Sequence, residues 1–207
     1  MRDDEKPRDS ERAGQGPGRP REFDEEEVAE RMMSLFWEVG YEGAALSDII
    51  AATGLQKGSL YKAFGGKRRM YLRALRRYES QAVDAAAEML VGPGEPGRRL
   101  AAFLSAPIDA VTAGGDRRGC FLCNASADQA ALDPETQAIV RRGFGKLGAA
   151  LAAAVGEARP QWSAERIEQK AQLLIAAYSG LRVMARAGVA PRFLVAARDA
   201  ALCGVAD

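Results

Sequence analysis

Apolar residues along the chain recur three and four positions apart, the spacing that places side chains on one face of a helix. The first such stretch covers about residues 24–39, with Val28, Met32 and Phe36 on its apolar face. Period-two alternation is weak and β-branched runs are few, so the pattern predicts an all-α protein. Five further helices are expected at roughly 98–113, 119–130, 134–156, 163–187 and 191–204.

The stretch from Leu46 to Met70 predicts two short helices joined by a tight turn, followed by the start of a third helix. Ser47 has the side chain of an N-cap, and Gly54 suits the left-handed residue that ends a helix. Leu60 and Phe64 are four residues apart in the second helix, so they share one face and are expected to pack inward. This arrangement is typical of a helix-turn-helix.

The other faces of the second helix carry polar, basic and aromatic side chains, as a helix that reads a DNA groove requires. Between residues 57 and 77 there are eight Lys or Arg and no Asp or Glu, although the net charge of the chain is only +1. A local basic surface beside a helix-turn-helix indicates phosphate binding. A solvated helix face is the alternative.

The segment from Phe23 to Tyr78 resembles the DNA-binding domain of TetR-type transcriptional regulators. The resemblance lies in SDIIAATGLQKGSLYKAFGGKRRMY and in the preceding helix EEVAERMMSLFWEVGYEGAAL. Two departures from the family pattern are visible. Gly66 stands where a polar helix cap is common, and Arg68 and Arg69 stand where acidic residues are common. These departures predict a looser helix entry and a more basic surface.

The resemblance implies an all-α, homodimeric, ligand-responsive regulator, expected to be a repressor, with an N-terminal helix-turn-helix domain and a C-terminal helical domain for ligand binding and dimerisation. Two recognition helices held about 34–36 Å apart would contact a palindromic operator on double-stranded DNA. A small apolar or aromatic inducer would favour another spacing and release the operator. The expected DNA contacts are Arg19, Arg21, Ser47, Gln56, Lys57, Gly58, Ser59, Tyr61, Lys62 and Lys67.

The composition divides the chain into three parts. Residues 1–22 are rich in charged residues, Gly and Pro, which predicts a disordered tail. Its Arg19 and Arg21 suit a narrow minor groove, and a merely solubilising tail is the alternative. The helix-turn-helix domain is expected over 23–69 and the C-terminal domain over 70–207. A helix from Lys67 to about residue 90 is expected to cross their border.

The segment 163–187 has two apolar faces, so it is expected to need two packing partners. One face has the 4-3-4 spacing of a helix-packing seam. The other contains Leu173, Ala177, Gly180 and Met184. One partner would be its own domain and the other a second subunit, whereas a fully buried core helix is the alternative. The predicted subunit interface comprises Ala171, Leu174, Tyr178, Leu181, Leu194 and Ala201.

Aromatic and apolar residues of the C-terminal part suggest a ligand pocket, although plain core is the alternative for most of them. The candidate walls are Phe103, Phe121, Asn124, Phe144, Trp162, Tyr178 and Met184. Cys120 and Cys123 are interpreted as buried small hydrophobic residues or as a redox or electrophile sensor. In the second case, Arg117 and Arg118 would lower a thiol pKa.

Other chemistry has little support in the residues. The chain has no His, which removes the commonest general base and metal ligand, so neither a metal nor a cofactor is expected. The protein is not expected to be an enzyme, and a helical enzyme is kept as the alternative with least support. Residues 143–148 fit G-x-G-x-x-G, but they lie in a helical pattern without a preceding strand. No apolar run approaches the length of a membrane span, and the charged N-terminus is unlike a signal peptide. A cytoplasmic protein with free thiols is expected.

Overall fold

The computed structural model describes residues 23–205, and every regular element among them is helical, which confirms the all-α fold class. The predicted tail over 1–22, with Arg19 and Arg21, lies outside the described residues. The helices are α1 (Glu25–Gly43), α2 (Leu46–Thr53), α3 (Lys57–Phe64), α4 (Lys67–Tyr78), α5 (Asp84–Val91), α6 (Pro96–Ala113), α7 (Phe121–Asp128), α8 (Pro134–Ala158), α9 (Ala164–Arg186) and α10 (Pro191–Leu202).

The N-terminal unit is built on α1, which packs against α2 and α4. Asp24 caps α1 by accepting a hydrogen bond from the backbone N–H of Glu26 at 2.8 Å. Gly40, with φ of 76°, interrupts the regular helix, so α1 bends before it ends. The side chains of Met32, Phe36 and Ile49 are fully buried and form the centre of this unit.

One helical run connects the two halves of the chain, as the sequence predicts. It consists of α4, a π-helical turn at Glu79–Val83, and α5. Glu79 is buried in this turn, and its carboxylate accepts hydrogen bonds from Arg142 of α8 and pairs with Lys146 at 3.3 Å. The run ends at Gly92, and Glu95 then caps α6. The connection between the halves is therefore a continuous helical run that is held to α8 by ion pairs.

The C-terminal half is a helical bundle in which α8 and α9 pack on each other and on α6. The helix α7 lies between this bundle and α1. A Cβ at Gly143 would lie 2.5 Å from Leu122 Cδ1, so this glycine allows α7 to approach α8 closely. The G-x-G-x-x-G stretch therefore lies in the middle of α8 and does not form a loop. Among the helices of residues 23–205, none has the length and apolarity to cross a bilayer.

The seam face of α9 packs inside its own chain. Tyr178 stacks on Phe103 of α6 with ring centroids 4.3 Å apart. The six residues predicted to form the subunit interface are all buried in this single chain, so they offer no surface to a partner. This corrects the predicted interface, and the residues concerned are Ala171, Leu174, Tyr178, Leu181, Leu194 and Ala201.

Candidate nucleic-acid interface and adjoining cavity

The turn between α2 and α3 has the predicted geometry. Gly54 adopts φ of 70° and ψ of 7°, the left-handed conformation, and its N–H donates to the carbonyl oxygen of Ile50 at 2.9 Å. No heavy atom would contact a Cβ at Gly54, so the positive φ alone explains the glycine. Leu60 and Phe64 are buried, as predicted, which turns the remaining faces of α3 outward.

Ser47 is not the N-cap of α2, contrary to the sequence prediction. The N-cap position is Ala45, whose backbone N–H donates to the Asp48 carboxylate at 3.0 Å. Ser47 occupies the second position of the helix, where its hydroxyl lies 3.4 Å from Asp48 and its side chain is exposed. The Asp48 carboxylate thus satisfies the backbone N–H of the N-cap residue, and the Ser47 side chain faces solvent.

The exposed face of α3 contains all the residues that the sequence places there. Tyr61 has 41% of its surface exposed although it is aromatic. Gly58 would meet no heavy atom if it carried a Cβ, so the backbone at this point is open to close approach. The exposed set consists of Gln56, Lys57, Gly58, Ser59, Tyr61 and Lys62.

Lys67 lies at the first position of α4, and its ammonium sits 4.6 Å from the centroid of the Tyr41 ring. Cation–π contact at this distance restrains the side chain without neutralising its charge. Tyr41 in turn packs against Tyr71, with centroids 5.2 Å apart. Nothing in the sequence marks Tyr41 as a positioning residue except that it is an aromatic residue directly after Gly40.

The basic stretch from 57 to 77 is not one free surface, which corrects the prediction from charge alone. Four of its arginines pair with carboxylates: Arg68 with Asp133 and Glu135, Arg73 with Glu25, Arg76 with Glu135, and Arg77 with Glu26 and Glu30. Within residues 23–205, no ion pair is formed by Lys57, Lys62, Lys67 or Arg69. The available positive charge therefore concentrates beside α3 and at the start of α4.

A cavity of about 350 Å³ lies directly behind this surface, between α1, α4, α7 and α9. Tyr71, Phe121 and Ala125 provide buried walls, and Asp128 and Arg186 add one charge of each sign. The pKa of Tyr71 is raised by burial and by the negative charge of Asp128, so its hydroxyl stays protonated. Asp128 Oδ2 also accepts a hydrogen bond from the Tyr41 N–H at 3.1 Å.

The seven predicted pocket residues are not brought into one cavity. Only Phe121 and Asn124 line the space behind the helix-turn-helix, and Phe144 lines an open groove between α8 and α9. The other four lie elsewhere: Phe103 and Tyr178 stack in the core, Trp162 lies under the Arg166 guanidinium, and Met184 is on an exposed face. Periodicity places aromatic residues on a face, but only tertiary packing decides which faces enclose a space.

Cys120 and Cys123 are both buried and free at the start of α7. Hydrogen bonds from Cys123 and Tyr78, together with the positive charge of Arg182, outweigh burial and lower the pKa of Cys120 to about 6. The pKa of Cys123 is raised by its hydrogen bond to Cys120 and by burial. The cation concerned is Arg182 of α9, whereas Arg118 pairs with Asp116 at 2.8 Å.

Sequence comparisons match the helix-turn-helix region to a known family and identify related regulators. The family described as "Bacterial regulatory proteins, tetR family" matches residues 30–74. The transcriptional regulator YezE of Bacillus subtilis is 31% identical over 57% of this chain and 61% of its own length. The transcriptional repressor ComR of Escherichia coli is 32% identical over 52% of this chain and 51% of its own length. The chain thus spans about half to three fifths of these curated relatives.

Solved structures extend the similarity to the whole bundle. A cysteine mutant of the TetR-family transcriptional regulator CifR, complexed with 26-bp double-stranded operator DNA, has a TM-score of 0.75 and 28% identity, covering 91% of this chain and all of that one. Reduced NemR of E. coli has a TM-score of 0.73 at 23% identity, covering 84% and 94%, and supports the fold alone. On these matches, the helix-turn-helix region is that of the TetR family of bacterial regulatory proteins, and the chain as a whole shares the fold of TetR-family regulators.

Proposed function

We propose that the protein is a transcriptional repressor that binds a palindromic double-stranded operator as a homodimer and is released by a small molecule. The observation that carries the proposal is the solvent-exposed face of α3. Beside it lie Lys57, Lys62 and Lys67, none of which forms an ion pair within residues 23–205. A helix with a buried apolar face and a free basic face fits a major groove. Operator DNA in the CifR complex and the repressor name of ComR support the same reading.

The side chains on this surface have distinct roles in the proposal. Gln56, Ser59 and Tyr61 are hydrogen-bonding or aromatic groups that suit base edges, whereas the lysines suit phosphates. Gly58 allows the backbone of α3 to lie close to the DNA. Ser47, exposed in the first turn of α2, suits a phosphate that approaches the helix N-terminus. Each unpaired lysine adds a salt-dependent contribution to affinity.

A homodimer is proposed through the exposed face of α9 and the adjacent face of α10. Large apolar side chains lie open there: Leu173 is 52% exposed, Val183 58% and Phe193 54%. A Cβ at Gly180 would contact nothing within 4 Å in the single chain. Contiguous apolar surface on a helical bundle is typical of a protein–protein interface. A second copy related by a twofold axis would bury this apolar face. The dimer would then present two α3 helices to a palindromic operator.

The proposal is tested by selecting bound sites from random duplex DNA with the full chain. The expected result is a palindromic sequence whose half-sites are centred about 10 base pairs apart. The Lys57→Ala, Lys62→Ala double variant should lose affinity for that sequence. A matched Arg73→Ala, Arg77→Ala variant should retain it, because these arginines already pair with glutamates. Failure to recover any palindrome contradicts the proposal.

A second candidate function is a thiol-based redox or electrophile sensor. The observation in its favour is the lowered pKa of Cys120, whose thiol interacts with Tyr78, the last residue of α4. Modification of Cys120 would therefore act on the helix that joins the two halves. The burial of Cys120, which is 1% exposed, argues for a packing role. Among residues 23–205, no comparable cluster supports the enzyme alternative.

A further inference from the structure

We propose that the cavity behind the helix-turn-helix binds a small organic cation, namely a single aromatic ring with a short alkylamine. The cavity is the space of about 350 Å³ between α1, α4, α7 and α9. This volume is at the lower end of the range for small-molecule sites, so it fits one ring with a short substituent. The site is separate from the groove between α8 and α9, which is lined in part by Phe144.

The walls of this cavity select an aromatic body. Tyr71 and Phe121 are buried and meet edge to face, with centroids 5.7 Å apart. Ala125 and Cys123 complete an apolar floor. An aromatic guest gains both buried apolar area and ring-edge contacts from such walls.

The charged groups of the cavity select a cation. Asp128 carries a carboxylate that has no Lys or Arg partner within residues 23–205. Its two oxygens accept hydrogen bonds only from neutral donors, namely the Tyr41 N–H and the Gln129 amide at 3.2 Å. Arg186 contributes positive charge to the same lining, but its guanidinium already donates to the carbonyls of Arg118 and Glu38. An ammonium group is therefore the missing partner of Asp128.

Occupancy of this site is coupled to the DNA-binding surface by two contacts. Asp128 holds the backbone of Tyr41 at the Gly40 bend, and the Tyr41 ring carries the Lys67 ammonium. A bound ammonium that attracts the Asp128 carboxylate competes with its hydrogen bond from the Tyr41 N–H. Tyr41 would then shift, and the ring that positions the Lys67 ammonium would shift with it. This last step rests on the proposed function, whereas binding of the cation to the cavity does not.

Binding is tested on the full chain without DNA, using three probes of matched size: benzylamine, benzyl alcohol and benzoate. Isothermal titration should give a dissociation constant for benzylamine at least about tenfold lower than for benzyl alcohol, because a charge-assisted hydrogen bond is stronger than a neutral one. Benzoate should bind more weakly than either. Equal affinities for the three probes, or preference for benzoate, overturn the assignment of a cation site.

Two variants locate the site, each with a matched control. Asp128→Asn should abolish the preference for benzylamine, whereas Asp109→Asn, an exposed carboxylate on α6, should preserve it. Ala127→Trp, at the rim of the cavity, should block all three probes, whereas Ala131→Trp, exposed beyond α7, should not. Thermal denaturation checks that each variant is folded. Benzylamine binding that survives both Asp128→Asn and Ala127→Trp in folded protein overturns the proposal.

Coupling is measured separately on the operator obtained by selection. Benzylamine should weaken operator binding by wild-type protein and have no effect on the Ala127→Trp variant. If benzylamine binds the cavity but leaves operator affinity unchanged, the coupling is wrong and the site itself stands. If no operator is found, the proposed function fails, and the titration without DNA still decides whether the cation site exists.

Discussion

The Arg68 guanidinium lies 2.6 Å from the Asp133 carboxylate and 2.9 Å from that of Glu135, which joins the start of α4 to the N-terminus of α8. Asp133 also caps α8 by accepting a hydrogen bond from the Thr136 N–H at 2.9 Å. Burial alone would raise the pKa of Asp133, but the hydrogen bonds from Thr136 and Arg68 lower it overall. A residue that the sequence assigns to a basic surface is thus a tether between the two halves.

The tether predicts opposite effects for two neighbouring arginines. Arg68→Gln should lower the melting temperature modestly, because it removes the ion pairs to α8, and should leave the salt dependence of DNA binding largely unchanged. Arg69→Gln should keep the melting temperature and reduce the salt dependence, because Arg69 is exposed and unpaired within the described residues. Thermal denaturation and operator titrations at several salt concentrations measure both. The same response from the two variants would refute the distinction.

Lys67 is predicted to contact a phosphate. Lys67→Ala should weaken binding to all DNA sequences similarly and reduce the slope of log K against log salt by about 1. Arg76→Ala is the control, because Arg76 pairs with Glu135 at 2.9 Å and its removal should leave that slope unchanged. An unaltered slope in Lys67→Ala would exclude Lys67 from the contact set.

Gly180→Arg is predicted to produce a monomer. The substitution meets no atom within the chain, so the fold should persist, but it places a charge on the apolar face of α9. Light scattering should report half the wild-type mass, with loss of operator affinity. Leu132→Arg, at a side chain 77% exposed before α8, adds the same charge away from this face and should stay dimeric. A dimeric Gly180→Arg protein would place the interface elsewhere.

Glu79 makes stability depend on acidic pH. Burial would raise its pKa, but hydrogen bonds from Arg142 and Lys146 outweigh burial and lower the pKa below its usual value of 4.5. The ionised Glu79 carboxylate therefore stabilises the folded state fully above pH 4.5. This stabilisation is lost as the pH falls through the lowered pKa that Glu79 has in the folded protein.

Glu79→Gln should consequently reduce the free energy of unfolding by about 1–2 kcal/mol at pH 7, a reduced estimate because both cations are partly exposed. The difference from wild type should shrink as the pH falls below 4.5. Glu88→Gln, an exposed glutamate on α5, serves as the control in urea denaturation. A difference that is constant from pH 7 to pH 3 would contradict the role assigned to the carboxylate.

The thiols should label at very different rates in the native protein. Cys203 is exposed and should react quickly, whereas Cys120 and Cys123 are buried and should react slowly. The Cys120→Ala, Cys123→Ala variant should still bind the operator and still release it when the small molecule binds, although the variant should be less stable. The thiol sensor would instead be established by two results together. Fast modification of Cys120 would release the wild-type protein from DNA, and the same reagent would not release the double variant.

Local sequence determined the helices and the helix-turn-helix. Gly54, Asp24 and Gly92 begin or end helices and act within one or two turns of the chain. Their consequences can therefore be derived without knowing what packs nearby. The spacing of Leu60 and Phe64 likewise fixed the face that α3 exposes. The helix across the domain border could be predicted because its signals are also local. Nothing in the sequence indicated its π-helical turn.

Tertiary structure decided which of several equivalent surfaces is used. Both faces of α9 are apolar, and only the packing of α6 and α8 shows that the seam containing Tyr178 is internal. Charge counting along residues 57–77 missed the pairing of Arg68, because its partner Asp133 lies 65 positions away. The cavity behind Tyr41 depends on four helices at once. Sequence periodicity specifies the direction of each side chain, whereas a contact or an enclosed space requires a second element, and its position is set by the fold.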